Sequence, residues 1–64
     1  MGELDIGAWI KEKRLKKGLT KIALAEAIEV NPSYIYYLES NDRVPSLEIL
    51  VKIAEVTGGK IILK

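Results

Sequence analysis

Residues 18–40 read GLTKIALAEAIEVNPSYIYYLES, and this stretch decides the fold. Thr20 stands at a helix start, where its hydroxyl can accept from the open amides of the first turn. Leu19 just before it and Leu24 inside the helix have the spacing of a hydrophobic staple. Ile22, Leu24, Ala25 and Ile28 supply apolar surface, and the pattern predicts a helix of about two turns ending near Ile28. Asn31 then offers a second N-cap and Pro32 suits the first helical position. Val30 and Ile35 repeat the staple spacing, and Ile35 and Leu38 face the core. This helix stops near Ser40 and Asn41, because asparagine tolerates the left-handed backbone that ends a helix.

Working outward, a first helix is predicted from about Asp5 to Lys17. Ile6, Trp9, Ile10 and the stem of Lys13 share one face, with Asp5 as N-cap and Gly18 as the left-handed stop. On the other side, a polar loop from Asn41 to Pro45 carries Arg43. Ser46 caps a fourth helix, with Glu48 in its first turn. Leu47, Leu50, Val51 and Ala54 form one apolar stripe with Ile53 beside it, and Gly58 and Gly59 end the helix. Residues 60–64, KIILK, are too short for another helix and suit a short strand.

Composition narrows the function. The chain of 64 residues, 48% apolar and 30% charged, reads as a single globular domain over 1–64 with a small core. It has no Cys and no His, which removes disulfides, thiolate nucleophiles, imidazole acid/base chemistry and the usual zinc ligands. No metal site, cofactor or catalytic constellation emerges, so the sequence argues against an enzyme. The longest apolar run, Tyr34 to Leu38, is far short of the roughly 20 residues that cross a bilayer, and residues 1–10 lack a basic signal-peptide start. The expected compartment is the cytoplasm. The net charge of +1 hides a local pattern: Lys11, Lys13, Arg14, Lys16, Lys17 and Lys21 cluster, opposed only by Glu12. Such a run is either a solvated helix face or a phosphate-facing patch.

Two short helices joined by a tight turn, the second capped by Asn-Pro, make a helix-turn-helix pattern at about 20–40. The run from Ile6 to Ala54 further resembles the Cro/phage-repressor (XRE) family. The matching residues are Ile6-Gly7, Ile10, Arg14, Lys17-Gly18-Leu19-Thr20, Leu24-Ala25, Val30, Ser33, Ile35, Leu38-Glu39, Pro45-Ser46-Leu47 and Leu50. The resemblance implies an all-α, lambda-repressor-like bundle of four to five helices that binds double-stranded DNA as a homodimer. It implies a prokaryotic or phage-encoded, DNA-associated regulator, expected to repress from an operator. The helix at 31–40 would lie in the major groove. By the same resemblance Pro32, Ser33 and Tyr37 fall at base-reading positions. Lys21 and Ser40 fall at backbone-contacting positions and Arg43 at a loop position that reaches the backbone or the minor groove, while Tyr34 and Tyr36 flank this surface, where their hydroxyls can reach phosphates. Arg14 and Glu39 fall at positions that pair to tie the first helix to the third. Ser33 is the natural reader because its hydroxyl both donates and accepts.

The sequence also departs from the family pattern. Glu29 stands where a turn glycine is usual, at a cost of order 1 kcal/mol in the left-handed region. Ala23 replaces the usual Glu of a capping box, and Asn41 replaces another glycine. The recognition helix carries no Lys, Arg or Gln and no Asn beyond its cap, so the commonest base-reading pairings are missing. Three tyrosines take that face instead, either as core cover, DNA contacts or a protein interface. The tail at Ile61, Ile62 and Leu63 either pairs with its two-fold copy as a dimer ribbon or packs on the fourth helix. A second functional reading is therefore a protein-interaction module on the same fold, antitoxin-like or binding a regulatory partner.

Overall fold

The computed structural model describes residues 5–58. Four helices follow one another: α1 (Ile6–Lys17), α2 (Lys21–Ile28), α3 (Pro32–Glu39) and α4 (Leu47–Thr57). The tail at 60–64, with the dimer residues Ile61, Ile62 and Leu63, lies outside the described residues.

Each helix begins with a side-chain oxygen on an open amide. Asp5 accepts from the Ala8 amide, Thr20 from Ala23, Asn31 from Ser33 and Ser46 from Ile49, at 2.9–3.2 Å. The ends are equally uniform. The first three helices each close with an amide reaching back five residues and its neighbour reaching back three. The left-handed residues in these closures are Gly18, Glu29 and Asn41. Glu29, at φ 62° and ψ 48°, holds the helix-turn-helix corner without a glycine.

Ile10, Leu24, Ala25, Ile28, Ile35, Leu38 and Ile53 form one buried cluster. Ile6, Trp9, Leu19, Val30, Tyr34, Ile49, Leu50 and Val56 pack around it. Helix α3 rests on α1 and α2, and α4 closes the other side against the same two helices. A buried ion pair enters this interior. Arg14 Nε donates to Glu39 Oε2 at 2.6 Å, Nη2 donates to Oε1 at 3.2 Å, and Nη1 donates to the Leu19 carbonyl at 2.9 Å. The fork thus joins α1, the turn before α2 and the last residue of α3.

The start of α1 is fixed against the end of α3 by a second device. The Asn41 side chain accepts from the Gly7 amide at 3.0 Å and donates to Asp5 at 2.9 Å. A Cβ on Gly7 would lie 2.5 Å from the Glu39 carbonyl oxygen and 2.7 Å from that of Leu38, so only glycine permits this approach.

Two apolar assignments are corrected. On α4, Leu50 and Ala54 face inward as expected, but Leu47 and Val51 are exposed. The inner face runs through Ile49, Leu50, Ile53 and Ala54. The helix is apolar around most of its circumference, so spacing admits two neighbouring stripes, and the position of α1 and α2 selects one. On α2, Ile22 is 59% exposed. It lies about 200° around the helix from Leu24, which takes the buried side with Ala25 and Ile28.

Candidate nucleic-acid interface

The corner at Glu29-Val30-Asn31 sets α3 across the molecule with Ile35 and Leu38 inward and Pro32, Ser33, Tyr36, Tyr37 and Ser40 outward. Tyr34 divides from the other tyrosines, because its ring is half-buried against the core. Tyr36 and Tyr37 are 56% and 40% exposed. Their rings meet edge to face, with centroids 5.7 Å apart and planes at 70°.

A cation stands over each ring. Lys21 Nζ, from the first position of α2, is 5.7 Å from the Tyr36 centroid, and Arg43 Cζ, from the loop after α3, is 5.8 Å from that of Tyr37. Such contacts are worth about 0.5–1 kcal/mol at exposed sites, enough to bias where flexible chains rest. The result is a continuous row, Lys21–Tyr36–Tyr37–Arg43, with aromatic surface in the middle and a positive charge at each end. The sequence places these residues together only through the fold. The separation of Lys21 from Tyr36 follows from no helical period, so this arrangement was not legible beforehand.

The smaller side chains on this face are partly engaged. Ser33 Oγ donates to Asn31 Oδ1 at 2.8 Å, and the Ser33 amide donates to the same oxygen at 2.9 Å. The hydroxyl expected both to donate and to accept is left as an acceptor. Ser40 Oγ lies 3.1 Å from the Tyr37 carbonyl and 3.2 Å from an Asp42 carboxylate oxygen, so its single proton is directed to the protein. Pro32 is exposed and offers only its ring. Lys11, Lys16 and Lys17 are exposed along α1, where Lys16 pairs loosely with Glu12 at 3.9 Å. Val44 is 81% and Leu47 53% exposed.

Among the described residues no helix is long and apolar enough to cross a membrane. The comparisons with known proteins agree with the geometry. RamB, an HTH-type transcriptional regulator of Mycobacterium tuberculosis, is 31% identical over 58 residues, which is 91% of this chain and 12% of RamB. The chain therefore spans a small part of that relative. The crystal structure of the clp gene regulator ClgR from C. glutamicum superposes with a TM-score of 0.84 at 33% identity, over 89% of this chain and 73% of that one. SinR, a master regulator for biofilm formation solved in complex with DNA, superposes with a TM-score of 0.80 at 36% identity, over 86% of this chain and 89% of that one. A helix-turn-helix family model matches residues 10–62, so the fold and most of the length agree, and the chain belongs to the Cro/phage-repressor (XRE) type of helix-turn-helix family.

Proposed function

We propose that this domain binds duplex DNA sequence-specifically and regulates transcription, acting as a repressor that occupies an operator as a homodimer. Residues 31–40 lie in the major groove in this reading, with Pro32, Ser33 and Tyr37 toward base edges. Lys21, Tyr34, Tyr36, Ser40 and Arg43 face the sugar-phosphate backbone. The observation that carries it is the row Lys21–Tyr36–Tyr37–Arg43, which puts two cations about an exposed helix face on a fold shared with DNA-bound SinR. Phosphate contacts supply affinity and its dependence on salt, whereas the exposed face of α3 supplies selectivity.

Selection of bound duplexes from a randomised pool tests the proposal. Enrichment of a two-fold-symmetric site, with half-sites about 34 Å apart, supports an operator-binding homodimer. Enrichment of one half-site keeps DNA recognition and removes the homodimer. No enrichment at modest salt favours a protein-interaction module. That second reading has its own support in the exposed apolar side chains of Val44 and Leu47.

A further inference from the structure

We propose that α3 recognises A·T base pairs through the thymine C5-methyl group and the adenine amino group, and that it does not use guanine as its anchor. The inference rests on the DNA-binding reading above and deepens it.

The major groove distinguishes bases by donors, acceptors and one methyl group. Guanine is usually held by Arg or Lys donating to N7 and O6, and adenine by the paired oxygen and amino group of Asn or Gln. The exposed face of α3 offers neither. Its two nearest cations, Lys21 and Arg43, rest over the Tyr36 and Tyr37 rings, at the flanks of the face. The amide of Asn31 is the one candidate for paired contacts, and its oxygen already accepts from the Ser33 amide and hydroxyl. Asn31 is left with only the donors of its amide nitrogen, which suit a phosphate oxygen and cannot complete the adenine pair.

What remains toward the groove is complementary to A·T. The Pro32 and Tyr37 rings present apolar surface of the kind that packs on a methyl group. Ser33 Oγ has its proton on Asn31 and therefore faces outward as an acceptor. Of the groups on an A·T pair, the adenine N6 amino group is the donor that matches it, and the methyl group sits on the opposite base of the same pair. A cytosine amino group could also meet the Ser33 acceptor, but a G·C pair brings no methyl group to the apolar surface.

Modified bases separate these possibilities while leaving the protein intact. The selected duplex is compared with one in which every thymine of the site is 2′-deoxyuridine, lacking the methyl group, and one in which every guanine is 7-deazaguanine, lacking N7. The proposal expects the deoxyuridine duplex to bind more weakly by about fourfold for each methyl group contacted. The 7-deazaguanine duplex should bind within about twofold of the parent, because no direct guanine hydrogen bond is lost. Unchanged binding to the deoxyuridine duplex, with loss on the 7-deazaguanine duplex, overturns the methyl-and-amino reading while DNA recognition stands. Failure to select any duplex overturns DNA recognition itself, and this inference with it.

Discussion

Arg14 on α1 and Glu39 at the end of α3 meet in a two-pronged ion pair whose side chains are only 8% and 6% exposed. Glu39 belongs to α3, yet its carboxylate is turned into the junction with α1. It holds the angle at which α3 is presented. Replacing Glu39→Gln strands the Arg14 guanidinium in a site with little water. The expected loss is about 3 kcal/mol or more in urea unfolding. The double variant Arg14→Leu with Glu39→Leu should lose less than Glu39→Gln alone, because no buried charge is then left without a partner.

The two left-handed positions without glycine should respond oppositely to glycine. Glu29 makes its turn with no side-chain hydrogen bond among the described residues, so Glu29→Gly relieves backbone strain and should stabilise by up to about 1 kcal/mol. Asn41 has a similar φ of 66°, but its amide joins Gly7 and Asp5. Asn41→Gly should destabilise by about 1 kcal/mol, since the lost hydrogen bonds outweigh the small relief at a residue type that tolerates this region. Thermal unfolding of the two variants side by side checks the signs.

Asp5 supplies a pH dependence. The Ala8 amide, followed by the Asn41 side chain, holds its carboxyl below the ordinary value of 3.8. The folded state therefore favours the charged form. Its contribution is fully present above 3.8 and fades as pH falls through the lower folded value. Asp5→Asn keeps an acceptor at the cap and removes the titration. Its stability should vary less with pH in that acidic window than that of the parent, as read by unfolding at a series of pH values.

Much of this architecture was legible in the sequence because it is local. The caps Asp5, Thr20, Asn31 and Ser46 and the stop at Gly18 act within a few residues of themselves. The buried pattern of Leu24, Ala25 and Ile28, then Ile35 and Leu38, follows from helical spacing. What was not legible depends on neighbours distant in sequence. Leu47 and Val51 share a sequence stripe with Leu50 and Ala54 yet are exposed, because periodicity gives a stripe but not the direction of the partner helix. Asn41 was read as a helix stop, and its bond to the Gly7 amide, 34 residues away, adds a second task. Of the candidate interface, the positions of Ser33, Tyr36 and Tyr37 on an exposed face came from the resemblance, whereas the resting places of Lys21 and Arg43 and the direction of the Ser33 proton required side-chain geometry.

Lys21 and Arg43 should contribute to affinity chiefly through charge. Each alanine substitution is expected to reduce the slope of log affinity against log salt by about one, while the order of preference among sequences is retained. Tyr36→Phe should leave that slope unchanged, because the ring that supports Lys21 remains. Titrations of the selected duplex at several salt concentrations check both.

The most direct test of the central claim is the shift of backbone amide resonances by NMR as the selected duplex is added. With α3 as the DNA-binding face, the largest changes cluster at Lys21, Ser33, Tyr36, Tyr37 and Arg43, with Ile53 and Ala54 on the buried face of α4 nearly still. Changes centred on α4 or on Lys11 and Lys17 of α1, with the tyrosine row unmoved, would contradict it.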